Sequence, residues 1–259
     1  MSIIIHSKQD YEGMNVAGSL ATEVLDKVTE FIRPGITTNQ INDFCHEYIV
    51  NAGAIPAPLN YKGFPKSVCT SKNSVVCHGI PDDNPLVDGD MLNIDVTVIL
   101  DGWHGDTSRM YYIGKPSPLA RALCDVTYDA MWAGIGVVKE GVLLCEIGKA
   151  IAKHIKQYKF SSVKDFCGHG IGKKFHTDPQ VLHYENNDNT ILKEGMFFTV
   201  EPMINRGKEH VLIKKDGWTA VTRDLSLSAQ FEHTIAVTQT GCQVFTLSKE
   251  YSGRAVICG

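Results

Sequence analysis

Long apolar runs are missing from this sequence. No stretch approaches the roughly 18 uninterrupted apolar residues of a membrane-crossing helix, so no membrane span is expected. The opening residues, Met1-Ser-Ile-Ile-Ile-His-Ser-Lys-Gln-Asp10, lack a cationic leader followed by a long apolar run. That pattern argues against a secretory signal. A surplus of basic charge is missing too, since 25 Lys and Arg stand against 29 Asp and Glu, for a net charge of -4. Proteins that grip nucleic acid concentrate Lys and Arg on one face, so no nucleic-acid specificity is expected. The eight cysteines (45, 69, 77, 124, 145, 167, 242 and 258) are scattered, with no Cys-x-x-Cys pair. Neither a disulfide frame nor a four-thiolate zinc site follows from them. They read instead as reduced, mostly buried thiols of a cytoplasmic protein. Low-complexity segments and an interdomain linker are also absent. With 259 residues, 43% of them hydrophobic, the chain can bury a large core. The expected organisation is one domain over residues 1–259, with residues 1–10 as a short tail.

What is present begins with a repeated helical pattern. Over residues 10–53, Val24, Val28, Phe31 and Ile32 keep helical spacing until Arg33-Pro-Gly35 breaks the helix. Thr37-Thr-Asn-Gln40 then starts a second one carrying Ile41, Phe44, Cys45 and Ile49. Residues 118–157 repeat the plan, with a break at Lys139-Glu-Gly141 and a second helix through Ile147, Ile151 and Ile155. Laying Gly35 on Gly141 places Ile36, Ile41 and Ile49 over Val142, Ile147 and Ile155, a constant shift of 106 residues. Strand-rich segments follow both copies, at 90–113 and 196–238, which favours a duplicated α/β unit.

The first strand-rich segment reads as a hairpin. Met91–Leu100 and Thr107–Ile113 flank Asp101-Gly102, a strong turn dipeptide. With that dipeptide as the turn, Asp106 faces Thr97 and Asp95 faces Ser108. The two carboxylates then share a face as diagonal neighbours, with Cα atoms roughly 7–8 Å apart. One reading is an ordinary solvated face opposite Leu92, Ile94, Val96 and Val98. Against it, Asp is disfavoured inside strands, and no basic residue stands opposite the pair. Two such carboxylates repel unless a cation lies between them or one keeps its proton.

Further along, glycines surround His169 in Gly168-His-Gly-Ile-Gly172, and His176 follows seven residues later. Glu201 closes the apolar strand Phe197–Glu201 before Pro202, and Glu232 lies within an expected strand over Ala229–Val237. Arg206 or Arg223 could pair with one such Glu, but two Glu, the Asp pair and a glycine-cradled His are harder to account for that way. Four carboxylates and an imidazole suit a pair of divalent ions such as Mn, Fe, Co or Zn. Such a pair activates water and polarises a carbonyl, leaving proton transfer to groups such as His78 and His176. His6, His46, His104, His154, His183, His210 and His233 carry no such context and read as surface or core residues.

The motifs in order are Ser74-Val-Val-Cys-His-Gly-Ile-Pro81, Asn93-Ile-Asp-Val96, Gly105-Asp-Thr-Ser108, Gly168-His-Gly-Ile-Gly172, Thr199-Val-Glu-Pro202 and Gln230-Phe-Glu-His-Thr234. Together they resemble the methionine aminopeptidases over nearly the whole chain. The resemblance implies the pita-bread fold, an α/β (α+β) architecture of two pseudo-symmetric halves whose central antiparallel sheet is covered by helices. It implies removal of the N-terminal methionine from nascent proteins when the next residue is small, through a metal-bridging hydroxide that attacks the first peptide bond. It further implies that Asp95 holds one metal, that Asp106 and Glu232 bridge both, and that His169 and Glu201 complete the other shell. Glu201 would accept the water's proton, His176 would contact the substrate carbonyl, and His78 the scissile amide nitrogen. Tyr61, Phe64, Cys69, Phe175 and Trp218 would line the methionine pocket. Ala57-Pro58 departs from the cysteine common in related bacterial enzymes. Asn73, Val75 and Ser228 match positions that can hold one Na or K ion. Only 30 residues separate Glu201 from Glu232, which leaves no room for the type II insertion, so the chain resembles type I. The start leaves no room for the zinc-finger extension of eukaryotic cytosolic forms, and a bacterial form is expected. Nascent polypeptide N-termini are the implied partners, with the ribosome as a docking partner and a monomeric state.

Overall fold

The computed structural model describes residues 3–251 and 254–259. Met1 and Ser2, the start of the expected tail, lie outside them. The described part of the tail is tied down: His6 N donates to Gly195 O at 2.8 Å, and the His6 ring stacks on Phe197 with centroids 4.1 Å apart.

The helices form where the periodicity places them. They are α1 (Asp10–Thr29), α2 (Thr38–Asn51), α3 (Pro118–Ile135) and α4 (Cys145–Lys156). Thr37 starts α2 with a reciprocal capping box: Gln40 N donates to Thr37 Oγ1 at 3.1 Å and Thr37 N donates to Gln40 Oε1 at 2.9 Å. Two of the amides that a helix start leaves unpaired are satisfied this way. Ser117 caps α3, and Pro118 occupies the first turn, where a missing N–H costs nothing.

The strands that bear on function are β1 (Cys69–Lys72), β2 (Met91–Leu100), β3 (Trp103–Ile113), β4 (Gly168–Gly170), β5 (Phe197–Val200) and β6 (Glu232–Val237). They belong to one curled sheet in the order β2-β3-β6-β5-β4, with β1 also on β2 and every pairing among them antiparallel. The hairpin turns on two residues with positive φ, Asp101 at 49° and Gly102 at 80°. Such a turn matches the right-handed twist of its strands. The register is as expected, with Asp95 opposite Ser108 and Thr97 opposite Asp106. Leu92, Ile94, Val96 and Val98 are fully buried against α1 and α2, while Phe198, Val200 and Ile235 join the core beneath α3 and α4. The helices thus cover one face of the sheet, and the opposite face carries the polar residues.

The duplication is visible bond by bond. Gly35 N donates to Leu86 O at 2.8 Å, and Gly141 N to Leu192 O at 2.9 Å. Leu86 N returns to Ile36 O, as Leu192 N does to Val142 O. The isolated bridges Thr37–Pro85 and Leu143–Ile191 repeat the match. Each partner lies 106 residues beyond its counterpart (141 less 35, 192 less 86). Both glycines need the left-handed region, with φ of 92° and 84°, which glycine enters without penalty. The same shift carries Asp95 onto Glu201. Mixed α/β architecture with two related halves is the pita-bread fold.

One element differs from expectation. The strand over Ala229–Val237 is two strands: Ser228–Gln230 pairs with Met203–Asn205 in a separate small sheet, and β6 begins at Glu232. Buried Phe231 marks the crossing. Nearly every residue of both segments is buried, and a sequence pattern does not sense a change of sheet.

Candidate metal centre and its cavity

Four strands and one strand end bring polar side chains to one cavity wall. Asp95 and Asp106 come from the hairpin, Glu232 lies opposite Ser108 across β3 and β6, and Glu201 directly follows β5. His169 arrives at the centre of β4, which lies between β5 and the Thr177–Val181 strand. Glycine makes that insertion possible: a Cβ at Gly168 would meet Thr199 O at 2.3 Å, and one at Gly170 would meet Asp178 O at 2.0 Å. His169 Nε2 comes within 3.5 Å of Asp106 Oδ2 and 3.7 Å of Glu201 Oε1. One ligand atom each from Asp106, His169 and Glu232 lies within 4.8 Å of the others.

The surrounding bonds orient these groups. Thr97 Oγ1 donates to Asp106 Oδ1 at 2.7 Å, Thr199 Oγ1 to Glu201 Oε1 at 2.7 Å, and Gln230 Nε2 to Glu201 Oε2 at 3.2 Å. His169 Nδ1 lies 3.2 Å from Gly170 O. A carbonyl can only accept, so Nδ1 carries the proton, and in the neutral ring the Nε2 lone pair is left free toward the carboxylates. That is the arrangement a metal-ligating histidine requires.

The electrostatics are those of a site short of positive charge. Burial, followed by the charges of neighbouring carboxylates, raises Asp95 and Glu232 well above the usual range. Burial lifts Glu201 to about 7 against the pull of His169 and Thr199. His169 is raised, as Asp106 and Glu201 outweigh the cost of burying its charge. Among the described residues no Arg or Lys forms an ion pair with any of the four carboxylates. Arg206 and Arg223 are exposed, and Arg109 is committed to Asp26 at 2.7 Å. The donor set of four carboxylates and one imidazole therefore fits hard-to-borderline divalent cations, which would discharge the repulsion.

This cluster forms one wall of a cavity of about 350 Å³. Tyr61, Phe64, Cys69, Phe175 and Trp218 all line it, as do His78 and His176. His78 sits at φ 54°, a left-handed conformation uncommon for a non-glycine residue. Its ring meets Phe166 and Trp218 edge to face. Burial lowers the pKa of His78 and, with help from His169, brings His176 to about 3, although part of the His176 surface opens to the cavity.

Sequence reasoning did not single out Phe166, Cys167 and Met203, which also line the cavity. It also set aside His183, whose Nε2 accepts from Glu201 N at 3.1 Å and so fixes the backbone beneath that carboxylate. A cue for Phe166 and Cys167 lay in their place just before Gly168-His-Gly170. His233 behaves as expected, turning away from Glu232 to bond Thr246 Oγ1 at 2.9 Å. Asn73 and Ser228 meet through Ser228 N and Asn73 O at 2.9 Å, while Val75 faces Val221 on the neighbouring strand.

The sequence pattern of Metallopeptidase family M24 matches residues 12–239. A methionine aminopeptidase of Rickettsia prowazekii (strain Madrid E) is 58% identical over 250 residues, covering 96% of each chain. One from Escherichia coli (strain K12) is 51% identical over 260 residues, covering 99% of this chain and 98% of its own. The crystal structure of the methionine aminopeptidase from Rickettsia prowazekii superposes with a TM-score of 0.94 at 57% identity, over 95% of this chain and all of its own.

Proposed function

The chain belongs to Metallopeptidase family M24 and acts as a methionine aminopeptidase, and from that premise we propose how its side chains divide the work. The observation that carries the reading is the convergence of Asp106, His169 and Glu232, with Asp95 and Glu201, on the wall of an aromatic-lined cavity. Asp95, Asp106, His169, Glu201 and Glu232 would hold two divalent ions. When bound, such ions supply an activated water and polarise the carbonyl under attack. Manganese, iron, cobalt and zinc all suit the donors.

Glu201, held by hydrogen bonds from Thr199 and Gln230, accepts the proton of the attacking water. A neutral His176 donates a hydrogen bond to the substrate carbonyl, and His78 faces the scissile amide nitrogen. Tyr61, Phe64, Cys69, Phe175 and Trp218 surround the methionine side chain; aromatic walls and a thiol pack well around a flexible thioether. Met203 supplies a further apolar wall. The close walls favour a small second residue. Asn73, Val75 and Ser228 form a separate site for one sodium or potassium ion.

The short span between Glu201 and Glu232 supports a type I enzyme. No helix of the described residues is long and apolar enough to cross a membrane. A monomer of one catalytic domain in the cytoplasm, acting on nascent chains and docking at the ribosome, is the setting we infer. Replacing Glu201 with Gln should abolish hydrolysis of Met-Ala-Ser, with kcat down by about 100-fold or more. Wild-type-like turnover by that variant would remove Glu201 from the chemistry. Cleavage of Xaa-Pro peptides in place of Met-Ala-Ser by the unaltered chain would overturn the substrate class.

A further inference from the structure

The Tyr61 ring belongs to the methionine pocket, but its hydroxyl points to a second task. Tyr61 Oη lies 3.0 Å from His176 Nδ1. The two rings stack at 5.2 Å with planes 25° apart, and Phe175 packs on both, 4.9 Å from Tyr61 and 4.1 Å from His176. Tyr61 itself is set between left-handed residues, with Asn60 at φ 66°, Lys62 at 48° and Gly63 at 89°. The Lys62 ammonium sits 5.2 Å from its ring centre. The phenol is therefore placed by backbone, stack and cation together.

The direction of this hydrogen bond follows from what each partner can give. His176 Nδ1 is the hydroxyl's partner among the described residues. If the phenol accepted from Nδ1–H, its own proton would turn to solvent, because the pair is exposed. The remaining imidazole lone pair, on Nε2, would then belong to a ring that shares its cavity with Asp106, Glu201 and Glu232. If the phenol donates, the lone pair is on Nδ1 and the proton on Nε2, so the ring offers a donor to a site whose charges are negative. The second arrangement is the one that gives the carboxylate-lined cavity a donor.

We propose that Tyr61 is a positioning residue whose hydroxyl holds His176 in the Nε2–H tautomer, the form that can donate to the substrate carbonyl. This rests on His176 facing that carbonyl, and the test separates the two ideas. Nitrogen-15 NMR of histidine-labelled, metal-free protein at pH 7.5 reads which imidazole nitrogen carries the proton. In the unaltered chain Nε2 of His176 should be protonated and Nδ1 bare, and in Tyr61→Phe the ring should become a mixture of tautomers. The metal-loaded variant keeps its aromatic wall, so KM for Met-Ala-Ser should stay within about 3-fold while kcat falls about 10- to 100-fold, the usual effect of losing a group that orients an active imidazole. A protonated Nδ1 in the unaltered chain, or an unchanged tautomer in Tyr61→Phe, would overturn the proposal. A shifted tautomer with unchanged kcat would uphold Tyr61's control of the ring and remove His176 from the reaction.

Discussion

At the residue scale, the site gathers Asp95, Glu201 and Glu232 where burial disfavours their charge. Asp95 and Glu232 are pushed well up by burial and then by the charges of Asp106 and Glu201, and burial lifts Glu201 to about 7. A carboxyl whose folded pKa is raised binds more protons folded than unfolded, so stability falls as pH rises between the two values. For Glu201 that window runs from 4.5 to about 7. Metal-free Glu201→Gln should therefore melt higher than the metal-free parent at pH 8, with the gap closing toward pH 4.5, as read by calorimetry across that range. His78 stands apart from this charge balance. His78→Ala should cut kcat by about 100-fold while metal stoichiometry by elemental analysis stays near that of the parent; loss of an ion would show that His78 does more than face the amide. At this scale the sequence was informative for Asp95 and Asp106, because hairpin parity and the absence of an opposing base were both readable. His169, Glu201 and Glu232 came through resemblance, since their convergence depends on strands that meet far along the chain. The hydroxyl of Tyr61 and the imidazole of His183 act through contacts of long sequence separation that no local pattern encodes.

At the scale of elements, the hairpin and the loop carrying His78 do most of the positioning. The hairpin's register was legible because a two-residue turn fixes parity. Gly102→Ala, at φ 80° with open space around a new Cβ, should cost about 1–2 kcal/mol through the left-handed backbone alone. Denaturant midpoints would report it, with hydrolysis of Met-Ala-Ser unchanged. The His78 loop is clamped differently. Asp82 N donates to Thr38 Oγ1 at 2.8 Å, the same hydroxyl donates to Asp82 O at 3.2 Å, and Asn39 N donates to Asp82 O at 2.9 Å, so the first turn of α2 holds the chain just past His78. Thr38→Val keeps the side-chain shape and removes the hydroxyl. It should cost about 1–2 kcal/mol of stability, and kcat should fall more than KM changes. The one element misread, Ala229–Val237, failed because alternation describes burial and says nothing of which neighbour a strand pairs with.

At the scale of the molecule, the two halves meet at the metal centre. The first half supplies Asp95 and Asp106, and the second supplies His169, Glu201 and Glu232. The shift of 106 residues, read from a few isoleucines, recurs in paired backbone hydrogen bonds and carries Asp95 onto Glu201. That architecture was legible because duplication leaves a repeat in the core spacing. How the halves curl toward one another was not, because it depends on the pairing of β3 with β6 across 124 residues (232 less 108). Ions held across this seam would tie the halves together, so loading should stabilise the fold by about 2.7 kcal/mol at a hundredfold excess over Kd. The most direct test of the account is restoration of activity to metal-stripped protein. Mn, Fe, Co or Zn ions would be added in steps while bound metal, melting temperature and hydrolysis of Met-Ala-Ser are followed on the same sample. The account predicts that activity returns with bound metal, saturates at two ions per chain and rises together with the melting temperature. Binding without recovery of Met-Ala-Ser cleavage by any of these ions would contradict it.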